Sequence, residues 1–176
     1  KYVYVGGICF IYGSGAISNA LFANNQVIQH AIILEGVSSI GNSAFVSNTS
    51  LASVRVPASV NSIGQAAFQD CTSLKTITIE QGSHLTTIDG SAFYGCTALE
   101  SIEIPASVTS IGQVAFYGCT SLKTVTCLAV EPPTLGNIAF YDCNVNLTIY
   151  VPSEEVEIYK ETSGWSFYAG KIQPIS

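Results

Sequence analysis

One short motif recurs along most of this chain of 176 residues and constrains its fold more than any other feature. Phenylalanine returns at intervals of 23, 23, 25, 23 and 24 residues, and an isoleucine or leucine stands five residues before each one. Because both columns keep step through the same changes of interval, the chain is expected to form a stack of equivalent coils. The phenylalanine column consists of Phe22, Phe45, Phe68, Phe93, Phe116 and Phe140.

A segment that reads Leu-x-x-Ile-x-Ile follows each phenylalanine and predicts a short strand whose apolar side chains point into the coil. A period in the low twenties with this segment is typical of leucine-rich repeats, in which each coil adds one strand to a parallel sheet. Only the lead position of the last segment, Asn146, is polar. The predicted inward positions are Ile28, Ala31, Ile33; Leu51, Val54, Val56; Leu74, Ile77, Ile79; Leu99, Ile102, Ile104; Leu122, Val125, Cys127; and Asn146, Ile149, Val151.

The repeat resembles the BspA-like variety found in bacterial surface proteins, whose pattern is roughly L-x-x-I-x-I-P-x-S-V-x-x-I-G-x-x-A-F-x-x-C. Residues 51–71 match this pattern as well, and residues 74–96 depart from it by an insertion around Gln81 and Gly82. The C-terminal residues 153–176 resemble the closing cap of such domains. The match over residues 99–119 includes Ile102, Ile104, Pro105, Ser107, Val108, Ile111, Gly112, Ala115 and Phe116.

The predicted fold class is therefore a repeat solenoid, a right-handed leucine-rich-repeat coil that is β-rich. It should have a parallel sheet on one face, short helical turns and a C-terminal capping helix. One domain is expected over residues 1–176, with an N-terminal cap at 1–16, repeats at 17–152 and a C-terminal cap at 153–176. Prolines lack the N–H that a strand needs to continue, so strands should end before Pro57, Pro105 and Pro152. A second short extended piece is expected on the opposite wall, ending at Ile63 and Ile111 and their equivalents.

Both ends of the stack need a cover. The first residues read as two extended runs about Gly6-Gly7, which suits a two-residue hairpin, and a single strand from near Ile8 is the alternative. In the C-terminal cap, Ser153 is the expected N-cap of a helix that Gly164 ends. The side chains expected to face the last coil or cover its apolar edge are Val156, Tyr159, Trp165, Phe167, Tyr168 and Ile172.

Composition excludes several classes of function. The formal net charge is -6 and the six basic residues are scattered, whereas nucleic-acid binding requires a basic stripe. No apolar run approaches the roughly 18 residues of a membrane helix, so this segment is not expected to insert into a membrane. The chain has no methionine and no signal peptide, which favours a mature or trimmed piece of an exported protein, located extracellularly or on the cell surface.

Six cysteines would normally suggest disulfides in an exported protein. Four of them, however, share the column three residues after phenylalanine, so their Cα–Cβ vectors should run parallel about 4.8 Å apart, whereas a disulfide needs converging vectors. We predict buried thiols there. Cys127 fills an apolar strand position, and Cys9 is either a core thiol or half of an unidentified pair. The closely spaced cysteine pairs of a zinc site are missing. The column holds Asn25, Asn48, Cys71, Cys96, Cys119 and Cys143.

No catalytic motif is present, so neither an enzyme nor a cofactor or metal site is predicted. The outward positions of the strands form an open face, where solenoid proteins usually bind, and serine and threonine fill its centre. Adjacent coils should bring Lys75, Glu100 and Lys123 side by side as a cross-strand charge ladder. The candidate binding residues on this face are Lys75, Glu100, Glu103, Lys123 and Tyr150.

The resemblance implies a non-enzymatic recognition module that adheres to a protein or glycan. Similar BspA-like proteins are associated with binding to host matrix proteins such as fibronectin, to host cells and to other bacteria. The alternative is a structural spacer that displays or extends a larger surface protein and has no ligand of its own. A charge-poor open face rich in serine and threonine is compatible with both.

Overall fold

A computed structural model describes residues 1–175 of the chain. It is a solenoid, in agreement with the prediction, and the predicted strand segments stack as one sheet layer, here called the front sheet. Parallel pairing joins successive coils in register, for example Ile102 with Val125 and Val125 with Ile149. The strands of this layer are β1 (Tyr2–Val5), β2 (Ile8–Ile11), β4 (His30–Ile33), β6 (Ser53–Val56), β8 (Thr76–Ile79), β10 (Ser101–Ile104), β12 (Thr124–Cys127), β14 (Thr148–Val151) and β15 (Ile172–Pro174).

The front sheet is divided between β8 and β10. Its hydrogen-bonded orders are β1-β2-β4-β6-β8 and β10-β12-β14-β15. The break coincides with the longest repeat, in which 25 residues separate Phe68 from Phe93 and which holds the insertion at Gln81 and Gly82. A longer coil displaces its neighbour, so the ladder is interrupted there while the stack continues.

The predicted second wall is a six-stranded parallel sheet, here called the rear sheet. Its strands are only two to four residues long, and each ends at the isoleucine or leucine five residues before phenylalanine. As predicted, the front strands β6, β10 and β14 end directly before Pro57, Pro105 and Pro152. The rear strands are β3 (Gly15–Ile17), β5 (Val37–Ile40), β7 (Ser62–Ile63), β9 (Thr87–Ile88), β11 (Ser110–Ile111) and β13 (Thr134–Leu135).

The segment around each phenylalanine, here called the Phe corner, is a ribbon of tight turns in the place where a brief turn or helical turn is expected. Alternate residues close i−3 turns, while the residues between them donate their N–H to the next coil. Phe93 N–H, for instance, donates to Ala115 O at 2.7 Å and Gly95 N–H to Tyr117 O at 2.8 Å. Left-handed backbone at Ser91 (φ 57°) and its equivalents aims these groups along the stack, which a helix does not do.

The core is a column of phenylalanine rings with the strand side chains packed around it. Neighbouring rings of the column lie 5.0 to 5.3 Å apart and nearly parallel, with interplanar angles from 8° to 20°. Phe45, Phe68, Phe93 and Phe116 are completely buried. Each of these four rings therefore packs on the rings of both neighbouring coils, so the core of one coil is completed by the side chains of its neighbours.

The N-terminal hairpin forms as predicted. Strand β1 pairs antiparallel with β2, and the two-residue turn uses left-handed Gly6 and Gly7. Cys9 is buried and free, which confirms the core thiol. Tyr2 packs edge-on against Phe22 with a centroid distance of 5.0 Å, so the hairpin covers the first ring of the column.

The C-terminal cap differs from the prediction in three respects. A 3-10 segment (Ser153–Glu155) precedes helix α1 (Val156–Glu161), and Ser153 makes no capping bond because its hydroxyl donates to Ile175 O at 2.7 Å. Helix α1 ends before Gly164. Gly164 instead directly precedes a second 3-10 segment (Trp165–Lys171).

Some aromatic side chains of the C-terminal cap are buried as predicted, and one is exposed. Tyr159, Trp165 and Ile172 are buried as predicted, and Trp165 Nε1 donates to Pro133 O at 2.7 Å. Phe167, by contrast, is 87% exposed and does not cover the apolar edge, because the 3-10 segment turns its side chain outward.

The last repeat also corrects one predicted position. Leu147 is buried and Asn146 is exposed, the reverse of the sequence-based assignment. Asn146 N–H is held by the Asn144 side chain at 3.0 Å in a local turn, and Leu147 N–H by Asn144 O. The buried lead side chain therefore comes one residue later than in the earlier coils, while β14 keeps the predicted register.

Candidate functional site

Strand register defines the open face as two rows of outward side chains that run along the stack. The first row passes through Ile8, His30, Ser53 and Thr76, and resumes after the sheet break at Ser101. The second row passes through Phe10, Ile32, Arg55 and Thr78 and resumes with Glu103, Thr126 and Tyr150. Because the strands within each half of the front sheet are hydrogen-bonded in register, the face is preformed within each half.

Among the predicted charged residues, Glu103 lies in the second row, whereas Lys75, Glu100 and Lys123 each stand one residue before a strand, at the edge of the face. Lys75, Glu100, Glu103 and Lys123 are all exposed. Lys123 lies directly beside Glu100, whose carbonyl accepts the Lys123 N–H at 2.9 Å, whereas the sheet break separates Glu100 from Lys75. Of the predicted charge ladder, only Glu100 and Lys123 are therefore neighbours in the sheet, and no ion pair joins these four side chains in the described residues.

Tyr150, the remaining candidate, lies toward the C-terminal end of the face. It is half-buried in the same row as Glu103 and Thr126. With Thr124, Thr126 and Ile175 it lines a shallow depression of about 230 Å³. The structure thus places Tyr150 two coils away from Glu103, and the depression gives its ring a side that faces solvent.

Sequence reasoning missed an apolar patch at the N-terminal end of the face. Strand β2 adds Ile8 and Phe10 to the outward rows, next to Ile32, and all three are half-buried. Nearby, His30 shares a hydrogen bond of 2.8 Å with Ser53, and Arg55 forms an ion pair of 2.8 Å with Glu80. The period-2 pattern of residues 8–11 could have shown this extension, but only once the hairpin was assigned to the sheet.

The thiols of the cysteine column do not form a reactive centre. All six cysteines are free, and those in the column donate to the carbonyl of the phenylalanine in the preceding coil, as Cys96 Sγ does to Phe68 O at 3.1 Å. Burial raises the pKa of Cys71 and of Cys143 to about 12 and that of Cys96 well above its usual value of 9.0. Thiolate, the nucleophilic form, is therefore scarce at neutral pH.

The described residues contain neither a metal-binding cluster nor a membrane-crossing helix. No cluster of three or more histidine, cysteine, aspartate or glutamate side chains suited to a metal ion occurs in residues 1–175. Within the same residues, no helix has the length and apolarity that crossing a bilayer requires.

Parallel strands repeated every 23 to 25 residues, with one exposed face on the outer side of the front sheet, define a leucine-rich-repeat protein. The family described as BspA type leucine rich repeat region matches in six copies, over residues 15–147 and 86–171. The chain belongs to this family. A comparison with curated proteins finds no match.

Solved structures of bacterial leucine-rich-repeat proteins are similar to this chain. One from Eubacterium ventriosum is 29% identical with a TM-score of 0.70 over 84% of this chain and 40% of its own. The T. pallidum leucine-rich-repeat protein is 28% identical with a TM-score of 0.65 over 99% of this chain and 77% of its own. One from Bacteroides ovatus is 25% identical with a TM-score of 0.54 over 85% and 43%. This chain therefore spans less than half the length of two of these three.

Proposed function

We propose that this chain is a non-enzymatic recognition module, secreted or displayed on a bacterial surface, that binds a protein or glycan partner through the open face. A host matrix protein, a host-cell surface or another bacterium is the expected kind of partner. Membership of the BspA-type family supports the surface role. The observation that carries the binding role is the set of exposed charges on and beside the middle strands of the open face.

These charges suit a partner for an electrostatic reason. Lys75, Glu100, Glu103 and Lys123 form no ion pair among themselves, so a partner can pair with them without first breaking a bridge within the chain. Arg55, by contrast, already has Glu80 at 2.8 Å. Exposed charges of this kind mainly set the association rate and partner choice, and their contribution falls as salt is added.

The test is binding of the purified chain to immobilised fibronectin, laminin, collagen and a glycan panel. The test variant changes Lys75, Glu100, Glu103 and Lys123 to serine, which leaves the net charge unchanged. The control variant changes Glu157 and Lys160 to serine, which removes an exposed ion pair of α1 and also keeps the net charge.

We expect saturable binding that the control retains and the test variant loses by about tenfold or more, since several charges are removed together. Binding that both variants retain would place the contact elsewhere on the molecule and overturn the role of the open face. The dependence on salt gives an independent readout, because binding through these charges weakens as the ionic strength rises.

The second candidate function is a structural spacer, and the composition of the first row favours it. Ser53, Thr76, Ser101, Thr124 and Thr148 follow one another there without the arginine, tryptophan or tyrosine anchors that dominate protein interfaces. Absence of binding by folded protein to any member of the panel would support the spacer and contradict the recognition module.

A further inference from the structure

The hydrogen-bond ladder of the Phe corner is unfinished in the last coil. In the coils before it, three alternate N–H groups donate to carbonyls of the following coil; Val114 donates to Asn137 O at 3.1 Å and Gly118 to Tyr141 O at 3.0 Å. The corner from residue 138 to residue 142 has no coil after it within the described chain. Its three equivalent donors therefore need other acceptors.

The C-terminal cap supplies only one of these acceptors. Phe140 N–H donates to the hydroxyl of Tyr168 at 3.1 Å, which substitutes for the missing carbonyl. The N–H groups of Ile138 and Asp142, on either side, have no acceptor in residues 1–175. Two backbone donors thus point where the stack would continue, and the Tyr168 ring stands between them.

A ladder of tyrosine rings on the surface ends at the same place. Tyr94, Tyr117 and Tyr141 each follow a core phenylalanine, and their rings stack with centroid distances of 5.1 and 5.7 Å. Tyr117 covers one face of Tyr141. No ring of the described residues stacks on the other face, and the Tyr141 side chain is 59% exposed.

The free N–H of Ile138 and the open face of the Tyr141 ring border one groove of about 720 Å³. This volume lies within the range of small-molecule sites, roughly 300 to 1,000 Å³. No charged side chain lines the groove. The side-chain amide groups of Gln113 and Asn137 make no hydrogen bond to any described residue. Its lining consists of Gln113, Asn137, Ile138, Tyr141, Phe167 and Tyr168.

We propose that this groove binds a neutral sugar ring. The electron-rich face of Tyr141 attracts the C–H face of a pyranose, and Phe167 offers a second ring at the rim. Sugar hydroxyls can accept from the N–H of Ile138 and donate to the amide oxygens of Gln113 and Asn137. The absence of charge in the lining disfavours an ionic ligand, which would lose its hydration without gaining a counter-charge.

A docking peptide fits the groove less well than a sugar does. An extended peptide would present alternate carbonyls to all three donors of the corner, as the next coil does in the rest of the stack. The hydroxyl of Tyr168 already occupies the central position at Phe140. A single free donor beside an aromatic ring face matches a sugar hydroxyl better than it matches a continuous backbone ladder.

The site is distinct from the open face, so its test is independent of the proposed function. Binding of maltose, cellobiose and N,N′-diacetylchitobiose is measured by saturation-transfer NMR and calorimetry, with N-acetyl-tyrosinamide as the probe for an aromatic peptide. The variants are Tyr141→Ala and Phe167→Ala. The control is Ile158→Ala, which removes a 50% exposed apolar side chain of α1 that does not line the groove.

We expect at least one disaccharide to bind saturably, with affinity lowered about tenfold by either groove variant and unchanged by Ile158→Ala. The open-face serine variant should bind the sugar normally. Failure of all three disaccharides to bind, or binding that Tyr141→Ala leaves unchanged, would overturn the proposal. Binding of N-acetyl-tyrosinamide alone would also overturn it and identify a peptide site.

Discussion

The carbonyl oxygen of each corner phenylalanine before the last coil accepts hydrogen bonds from its own coil and from the next one. Phe93 O accepts the N–H of Cys96 at 3.2 Å and the thiol of Cys119 at 3.2 Å. Asn48 occupies the same column near the N-terminus, and its Nδ2 donates to Phe45 O and to the preceding phenylalanine carbonyl at 2.7 Å each. Its buried Oδ1 has no partner, so a thiol, which has no strong acceptor to satisfy, suits the position better.

Ionisation of these thiols should destabilise the fold at alkaline pH. The unfolded chain releases its thiol protons near pH 9.0, whereas folded Cys71 and Cys143 retain theirs until about pH 12. Between these values the unfolded state binds fewer protons, so the free energy of unfolding falls as pH rises, by about 1.4 kcal/mol per pH unit for each thiol. Below pH 9 this contribution is complete.

Urea unfolding at pH 7, 9, 10 and 11 measures this dependence. Cys71→Asn is the matched variant, because asparagine occupies the same column in the first coils and does not ionise. The variant should lose stability less steeply above pH 9 than the parent chain. Equal slopes for the two proteins would show that the Cys71 thiol is not protected in the folded state.

At the scale of elements, the caps determine where the stack ends. The C-terminal cap packs Tyr159 against Trp165 with a centroid distance of 5.0 Å, and Tyr159 Oη donates to Ala129 O at 2.7 Å. Gly164 connects α1 to the second 3-10 segment with φ 86°, a backbone conformation that glycine adopts without strain. This residue therefore positions the Trp165 side of the cap on the last coil.

Replacement of Gly164 by alanine should destabilise the protein. A Cβ at this position would lie 2.7 Å from Leu135 O, and the positive φ adds backbone strain. We expect a loss of about 1 to 3 kcal/mol in the free energy of unfolding, measured by urea denaturation. Gly170→Ala is the control, because a Cβ there meets no atom within 4 Å. An unchanged stability of Gly164→Ala would contradict the assigned role of the connection.

The sequence predicts elements well wherever the repeat is regular and less well where it ends. The inward positions of five of the six strand segments follow from periodicity, because the same contact is made in every coil. Leu147 and Asn146 are exchanged because a local turn at Asn144 alters the entry to β14. Phe167 is apolar yet 87% exposed, and composition alone cannot distinguish an aromatic side chain that covers a core from one beside a groove.

At the scale of the whole molecule, the fold is cooperative because the coils share their core and their backbone hydrogen bonds. The phenylalanine column and the Phe-corner ladder both join each coil to the next, so stability is expected to depend on neighbouring pairs. The same register sets the rows of the open face and leaves the N–H groups of Ile138 and Asp142 without an acceptor in the described chain, and Ile138 lines the groove. Both proposed binding surfaces therefore depend on one claim, that the coils are hydrogen-bonded in this register.

Hydrogen exchange of individual amides, followed by NMR, tests that claim most directly. We expect slow exchange for the N–H groups of Phe45, Phe68 and Phe93, which donate to the next coil. We expect fast exchange for the N–H groups of Ile138 and Asp142, which have no acceptor in the described chain. Fast exchange at the three phenylalanines in folded protein, or strong protection at both residues of the last corner, would contradict the register and with it both binding surfaces.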